Sequence, residues 1–147
     1  MRRVNAASQR ATPAPGSVRQ RLAVPGGILL AAAAAFAYVG TVDPNEPGHY
    51  PVCPLLRYTG LYCPGCGGLR SAYAVVHGDP GTALGANAVA VLGFLAGAVL
   101  WTVWVVRSLR GRPPRVDPKP SLLWVLGSLI LVFTVVRNLP FGGWLRP

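Results

Sequence analysis

Ala83 to Val106 reads ALGANAVAVLGFLAGAVLWTVWVV, a stretch with no charged side chain. At about 1.5 Å per residue such a helix exceeds the roughly 30 Å hydrocarbon core of a bilayer. Trp101 and Trp104 sit beside Arg107 at its end, as indole rings and a cation do where a span meets the headgroups. This run predicts a transmembrane helix and makes the chain an integral membrane protein. Within it, Gly93 and Gly97 form a Gly-x-x-x-Gly pair that allows close helix approach, either inside a small bundle or in a homodimer. Asn87, the strongly polar residue near its start, is expected to hydrogen-bond a neighbouring helix or the backbone of Arg137.

Working outward, Gly78-Asp79-Pro80 is a stop and restart, with Asp79 suited to cap the helix and Pro80 to its first position. Upstream, Leu22 to Val42 is uncharged and long enough for a first span. Its basic start and the small-residue pattern Ala35-Phe36-Ala37 also fit a secretory signal peptide, although the apolar run is long for one. Residues 1–21 hold five arginines among Pro, Ala, Ser and Gln and are expected to be a disordered cytoplasmic tail. Downstream, Arg107, Arg110, Arg112, Arg115 and Lys119 alternate with prolines in a basic loop. Ser121 to Val136 is then a third uncharged run, which Arg137 and Leu139 extend to a span of about 121–139. Residues 22–147 are accordingly expected to form a single membrane domain.

Composition agrees: of 147 residues, 52% are hydrophobic and only 12% charged, and the mean hydropathy is +0.42. Lys and Arg outnumber Asp and Glu by 14 to 4. The basic residues gather in two blocks that flank the apolar runs, which is an orientation signal; no aromatic platform or nucleic-acid-binding fold accompanies them, so nucleic acid is excluded as a partner. Both basic blocks belong on the cytoplasmic side, two spans apart. The loop 43–82, with only Arg57 and Arg70 as cations, faces outward. The bias toward Ala, Gly, Pro and Arg points to a bacterium, hence to its cytoplasmic (inner) membrane.

That outward loop carries all three cysteines, Cys53, Cys63 and Cys66. It also holds Tyr50, Tyr58, Tyr62 and Tyr73, rings that favour the headgroup level. Leu69, Ala72, Tyr73 and Val76 recur at helical spacing, predicting a short interfacial helix with Arg70 and His77 at its polar edges. Pro64-Gly65 turns the chain between two thiols three positions apart, which can meet one metal, one another or a partner thiol. Haem attachment is excluded, because Gly67 stands where a His is needed. Three readings stay open. One is a non-enzymatic structural or accessory component, its cysteine corner stapled by a disulfide or by buried thiols and docking a protein partner or lipid. The second is thiol-disulfide exchange by Cys63 and Cys66. The third is a structural metal site, zinc in type, in which His49 or His77 joins the three cysteines as Cys₃His. No paired carboxylates, Ser-His-Asp set or phosphate loop indicates catalysis, and no other cofactor is expected.

The motifs Cys53-Pro54, Tyr58-Thr59-Gly60-Leu61, Cys63-Pro64-Gly65-Cys66-Gly67 and Arg70, with Arg137-Asn138-Leu139-Pro140 near the end, resemble domain-of-unknown-function family 2752. The resemblance implies a small membrane protein and no particular reaction. Two places depart from it: Gly68-Leu69 precedes Arg70 where the family tends to an apolar residue and Thr, and Asn87-Ala88 replaces a common Asn-Pro.

A last expectation concerns Arg137 and Asn138. The outer ends of all spans and the one sizeable outer loop must share a small surface. Arg137 is therefore expected to reach the 63–70 turn and donate to its unpartnered carbonyls, with Asn138 closing the helix there. Arg70 and Arg137 together are a candidate anion site.

Overall fold

The computed structural model describes residues 17–112 and 118–147, so most of the expected tail and the centre of the basic loop lie outside the described residues. Five α-helices follow in order: α1 Val18–Thr41, α2 Pro54–Thr59, α3 Gly68–Val76, α4 Pro80–Leu109 and α5 Pro120–Asn138. A 3₁₀ helix, Pro140–Leu145, ends the fold, and no strand occurs among the described residues. Helices α1, α4 and α5 are long and apolar enough to cross a membrane.

The first span starts earlier than its charge pattern suggests. Ser17 and Gln20 form a reciprocal capping box, Gln20 donating its backbone N–H to Ser17 Oγ at 3.4 Å and its side-chain oxygen accepting from the Ser17 amide at 3.1 Å. Residues 18–21, assigned above to the tail, therefore belong to α1, because two otherwise unpaired backbone donors are satisfied there. Pro25 lies buried inside α1, and its carbonyl accepts the Trp101 indole N–H at 2.9 Å, tying α1 to α4. The Arg21 guanidinium lies close to Gly111. The basic ends of α1 and α4 thus share one end of the molecule, opposite the cysteine loop.

At that opposite end the loop is more ordered than one interfacial helix. Cys53-Pro54 starts the extra helix α2, which stops at Gly60 in the left-handed region, φ +71°. Helix α3 folds back through the Gly78 turn and packs against the first turns of α4 and the end of α1. Its buried face is Ser71, Ala72 and Ala74, so of the Leu69-Ala72-Tyr73-Val76 stripe only Ala72 is buried. Small side chains let α3 approach Ala83 and Ala86 closely, and Ser71 Oγ donates to the Ala83 carbonyl at 2.8 Å. Leu69 and Val76 are left at the rim, where Val76 presses on Gly40 of α1 so closely that a Cβ there would lie 2.8 Å from it.

Helix α4 is interrupted. Asp79 caps its start, accepting the Thr82 amide at 3.0 Å and the Thr82 hydroxyl at 2.6 Å. At Asn87 the backbone is extended, φ −165° and ψ 95°. The Asn87 side-chain carbonyl then accepts the Ala90 amide at 3.0 Å, as a helix N-cap does. The second span is therefore re-capped at Asn87 and not continuous from Ala83. Helix α5 has no extended packing against α1 or α4; it meets the rest of the protein through its last turn and the 3₁₀ helix. Gly93 and Gly97 face open space and contact no other helix among the described residues. The reading of this pair as packing within the bundle is corrected: α1 crosses α4 by other positions, such as Phe36 edge-on to Phe94 with centroids 5.2 Å apart.

Candidate functional site

The end of the molecule opposite the basic helix ends gathers the three cysteines. Cys53 enters from the N-cap of α2, while Cys63 and Cys66 bracket the Pro64-Gly65 turn, closed by the Cys66 amide donating to the Cys63 carbonyl at 3.1 Å. The sulfur atoms of Cys53 and Cys63 lie 3.5 Å apart and those of Cys63 and Cys66 3.2 Å apart. All three lie within 4.8 Å of one another, as free thiols. The turn ends at Gly67, φ +85°, where a Cβ would overlap the Ala86 carbonyl oxygen and lie 2.6 Å from Pro147 Cβ. Glycine is required at that position by both conformation and space.

The thiols have unequal environments. Burial pushes the Cys66 thiol up to about 12, with the hydrogen bond to Cys63 adding to it. Cys53 is held below the ordinary thiol value, first by the Leu56 backbone amide at the start of α2 and then by the Cys63 thiol. An ionised sulfur is thus favoured at the rim of the cluster and disfavoured at its floor.

Around the thiols stands a frame of side chains from distant parts of the chain. Arg137, 0% exposed, donates from Nη1 to the Cys63 carbonyl at 2.9 Å. Its Nη2 donates to the Cys66 carbonyl at 3.2 Å and the Leu145 carbonyl at 2.9 Å. Its guanidinium also lies 4.9 Å from the Phe133 ring centre and 5.7 Å from that of Tyr62. Asn138 pairs with the Tyr62 backbone in both directions, accepting its amide at 2.8 Å and donating to its carbonyl at 2.9 Å. Asn87 Nδ2 donates to the carbonyls of Pro64 at 2.8 Å and Cys66 at 3.0 Å. Arg146 in turn donates from Nε to the Arg137 carbonyl at 3.2 Å. The guanidinium fork suits Arg137 to three acceptors at fixed angles, which an ammonium does not match.

The remaining candidates lie elsewhere. His49 faces Glu46 at 3.7 Å, and the Nδ1 of His77 lies 2.9 Å from the Tyr73 carbonyl, with its ring against Tyr73. Neither joins the thiols, so the Cys₃His set reduces to three cysteines among the described residues. The cause is geometric: His49 lies in the turn after α1, beside Glu46, and α3 carries His77 to its far end. Arg70 does not meet Arg137; it lines a depression with Arg146, His77 and Asp79. The two arginines form no joint anion site, because Arg137 is turned inward and already engaged. Ser71, buried and bonded to the Ala83 carbonyl, has no signature in the sequence, since a serine beside alanines gives no signal of its own.

A family model described as "Protein of unknown function (DUF2752)" matches residues 53–101. This is the family that the cysteine motifs resemble. The matched segment is about a third of the chain; it holds the thiols, α3 and Asn87, and stops short of Arg137. No curated protein and no solved structure matches the chain.

Proposed function

We propose that this protein is a non-enzymatic, multi-pass component of the cytoplasmic membrane of a bacterium, whose cysteine corner is a fixed outward surface for docking a membrane partner or lipid. The observation that carries this reading is the use made of the polar side chains. Arg137, Asn138 and Asn87 are all committed to backbone carbonyls and amides of the loop. They hold shape, and among the described residues no histidine or carboxylate joins the thiols. Around this frame Leu55, Tyr58, Phe141 and Trp144 stay exposed, Tyr58 to 83% and Trp144 to 76%. Such rings suit the headgroup layer or a second membrane protein. The arginine-rich segments orient the amino terminus toward the cytoplasm.

Labelling of Cys53 in intact cells with an impermeant maleimide, after reduction, tests the orientation. Labelling confined to permeabilised cells would reverse it. Recovery of one recurrent membrane protein in mild detergent, lost when Tyr58 and Trp144 are changed to Ser, is the expected sign of docking.

A second reading, thiol-disulfide exchange by Cys63 and Cys66, is favoured by their 3.2 Å approach and by the unequal thiol environments. Titration against a dithiol buffer separates the two. Exchange requires equilibration at a measurable potential, whereas a structural corner does not follow the buffer.

A further inference from the structure

The corner leaves one charge without a counterpart. Arg137 is buried, and its Nε has no hydrogen-bond partner among the described residues. The ion pair found among those residues joins Glu46 to His49, so no carboxylate there neutralises the guanidinium. Carbonyl oxygens satisfy its N–H groups without cancelling its charge, and an uncompensated charge away from water costs several kcal/mol. What lies beside it is a set of three sulfurs.

Their spacing suits one ligand shell. Zinc-sulfur bonds of about 2.3 Å in a tetrahedron place sulfurs about 3.8 Å apart. Two of the separations, 3.5 and 3.2 Å, fall a few tenths of an ångström short of that value and all three are inside 4.8 Å, within the reach of small side-chain rotations. A disulfide would use two sulfurs and strand the third; a metal uses all three. The Cys63 to Cys66 turn has the two-residue ligand spacing common in thiolate metal sites. It is fixed from behind, since Arg137 and Asn87 pin the carbonyls of both ligand residues, as outer-shell groups do around metal ligands.

We infer that Cys53, Cys63 and Cys66 are the three protein ligands of one thiophilic divalent ion of the zinc type, and that Arg137 is the counter-charge of the complex. Each thiol releases its proton on binding. Three thiolates and one divalent cation sum to a single negative charge, opposite to the guanidinium. The fourth tetrahedral position is left to water or to a group brought by a partner. This inference rests on the reading of the corner as a structural unit and gives that unit its centre.

The test uses untagged, full-length protein purified in mild detergent under reducing conditions. Metal analysis is expected to return about one zinc per chain, and cobalt substitution to give the strong thiolate-to-metal charge-transfer absorption of a sulfur-ligated tetrahedral ion. Zinc-loaded protein should protect its thiols from a disulfide reagent until a chelator is added. Cys53→Ser, Cys63→Ser and Cys66→Ser should each lose the cobalt spectrum. Arg137→Lys should weaken cobalt binding about 10- to 100-fold, whereas Arg70→Lys should leave it unchanged. Wild-type protein that takes up no zinc after reduction and loading, or whose thiols all react at once when loaded, overturns the inference even if the serine variants fail to fold. Outward labelling of a metal-free protein would remove the metal and leave the docking surface standing; a protein that binds zinc when purified but whose Cys53, after chelation, is labelled only in permeabilised cells would do the reverse.

Discussion

The cysteine corner and the middle of the spans are built on opposite terms. At the corner, side chains from α4 and α5 and from the loop itself converge, and Arg137 and Asn87 are buried with nearly every polar atom paired. Halfway along the same helices almost nothing is buried: Leu92, Leu95, Val99 and Leu100 of α4 and nearly all of α5 stay exposed. The third span is attached by its last turn and the segment after it. Lipid tails are as apolar as these side chains, so mid-span contact has little to gain, whereas unpaired backbone groups at the membrane edge must find partners. Order in this protein is therefore concentrated where polar backbone leaves helices.

Glycine substitutions give the largest contrast. Gly67→Ala forces a left-handed residue and a clash with the Ala86 carbonyl, and should cost more than about 3 kcal/mol in detergent unfolding. A loss under about 1 kcal/mol would mean that the corner yields easily. Arg137→Leu comes next, stranding the carbonyls of Cys63, Cys66 and Leu145, for a loss of about 3 kcal/mol. Its milder form, Arg137→Lys, should speed thiol alkylation after mild reduction more than Arg146→Lys does, and equal rates would make Arg137 an ordinary interfacial charge.

Asn138→Ala removes the two-way pairing with Tyr62 and should cost about 1–2 kcal/mol, read as a lower melting temperature. The Asp79 cap adds a small pH dependence. Its pKa lies below the ordinary aspartate value because the Thr82 side chain, then the Thr82 amide, hydrogen-bonds the charged form. A carboxylate so depressed contributes stability above the unfolded value of about 3.9 and loses it as pH falls through the folded one. Wild-type protein should lose that increment below about pH 4, and Asp79→Ala should show no such acid loss. At the other extreme, Gly93→Ala and Gly97→Ala meet open space. They should change stability by less than about 1 kcal/mol. A shift from dimer to monomer in either variant would show that a second copy covers this face and would narrow the contrast between corner and spans.

The sequence by itself determined the three spans, since a charge-free run of that length has one economical solution in a bilayer. It also marked the cysteine turn and singled out Arg137, an arginine placed where an apolar run ends. Only the tertiary structure decided how these meet. That α4 is re-capped at Asn87, that α2 exists, that Ser71 and not Leu69 faces α4, and that Arg70 and both histidines stand apart from the thiols all depend on how the folded loop and the helix ends meet. Apolar length is a property of a segment and can be read along the chain. The partner of a polar atom is a property of two segments, here Arg137 and the Cys63 turn, and exists only once the chain has brought them together.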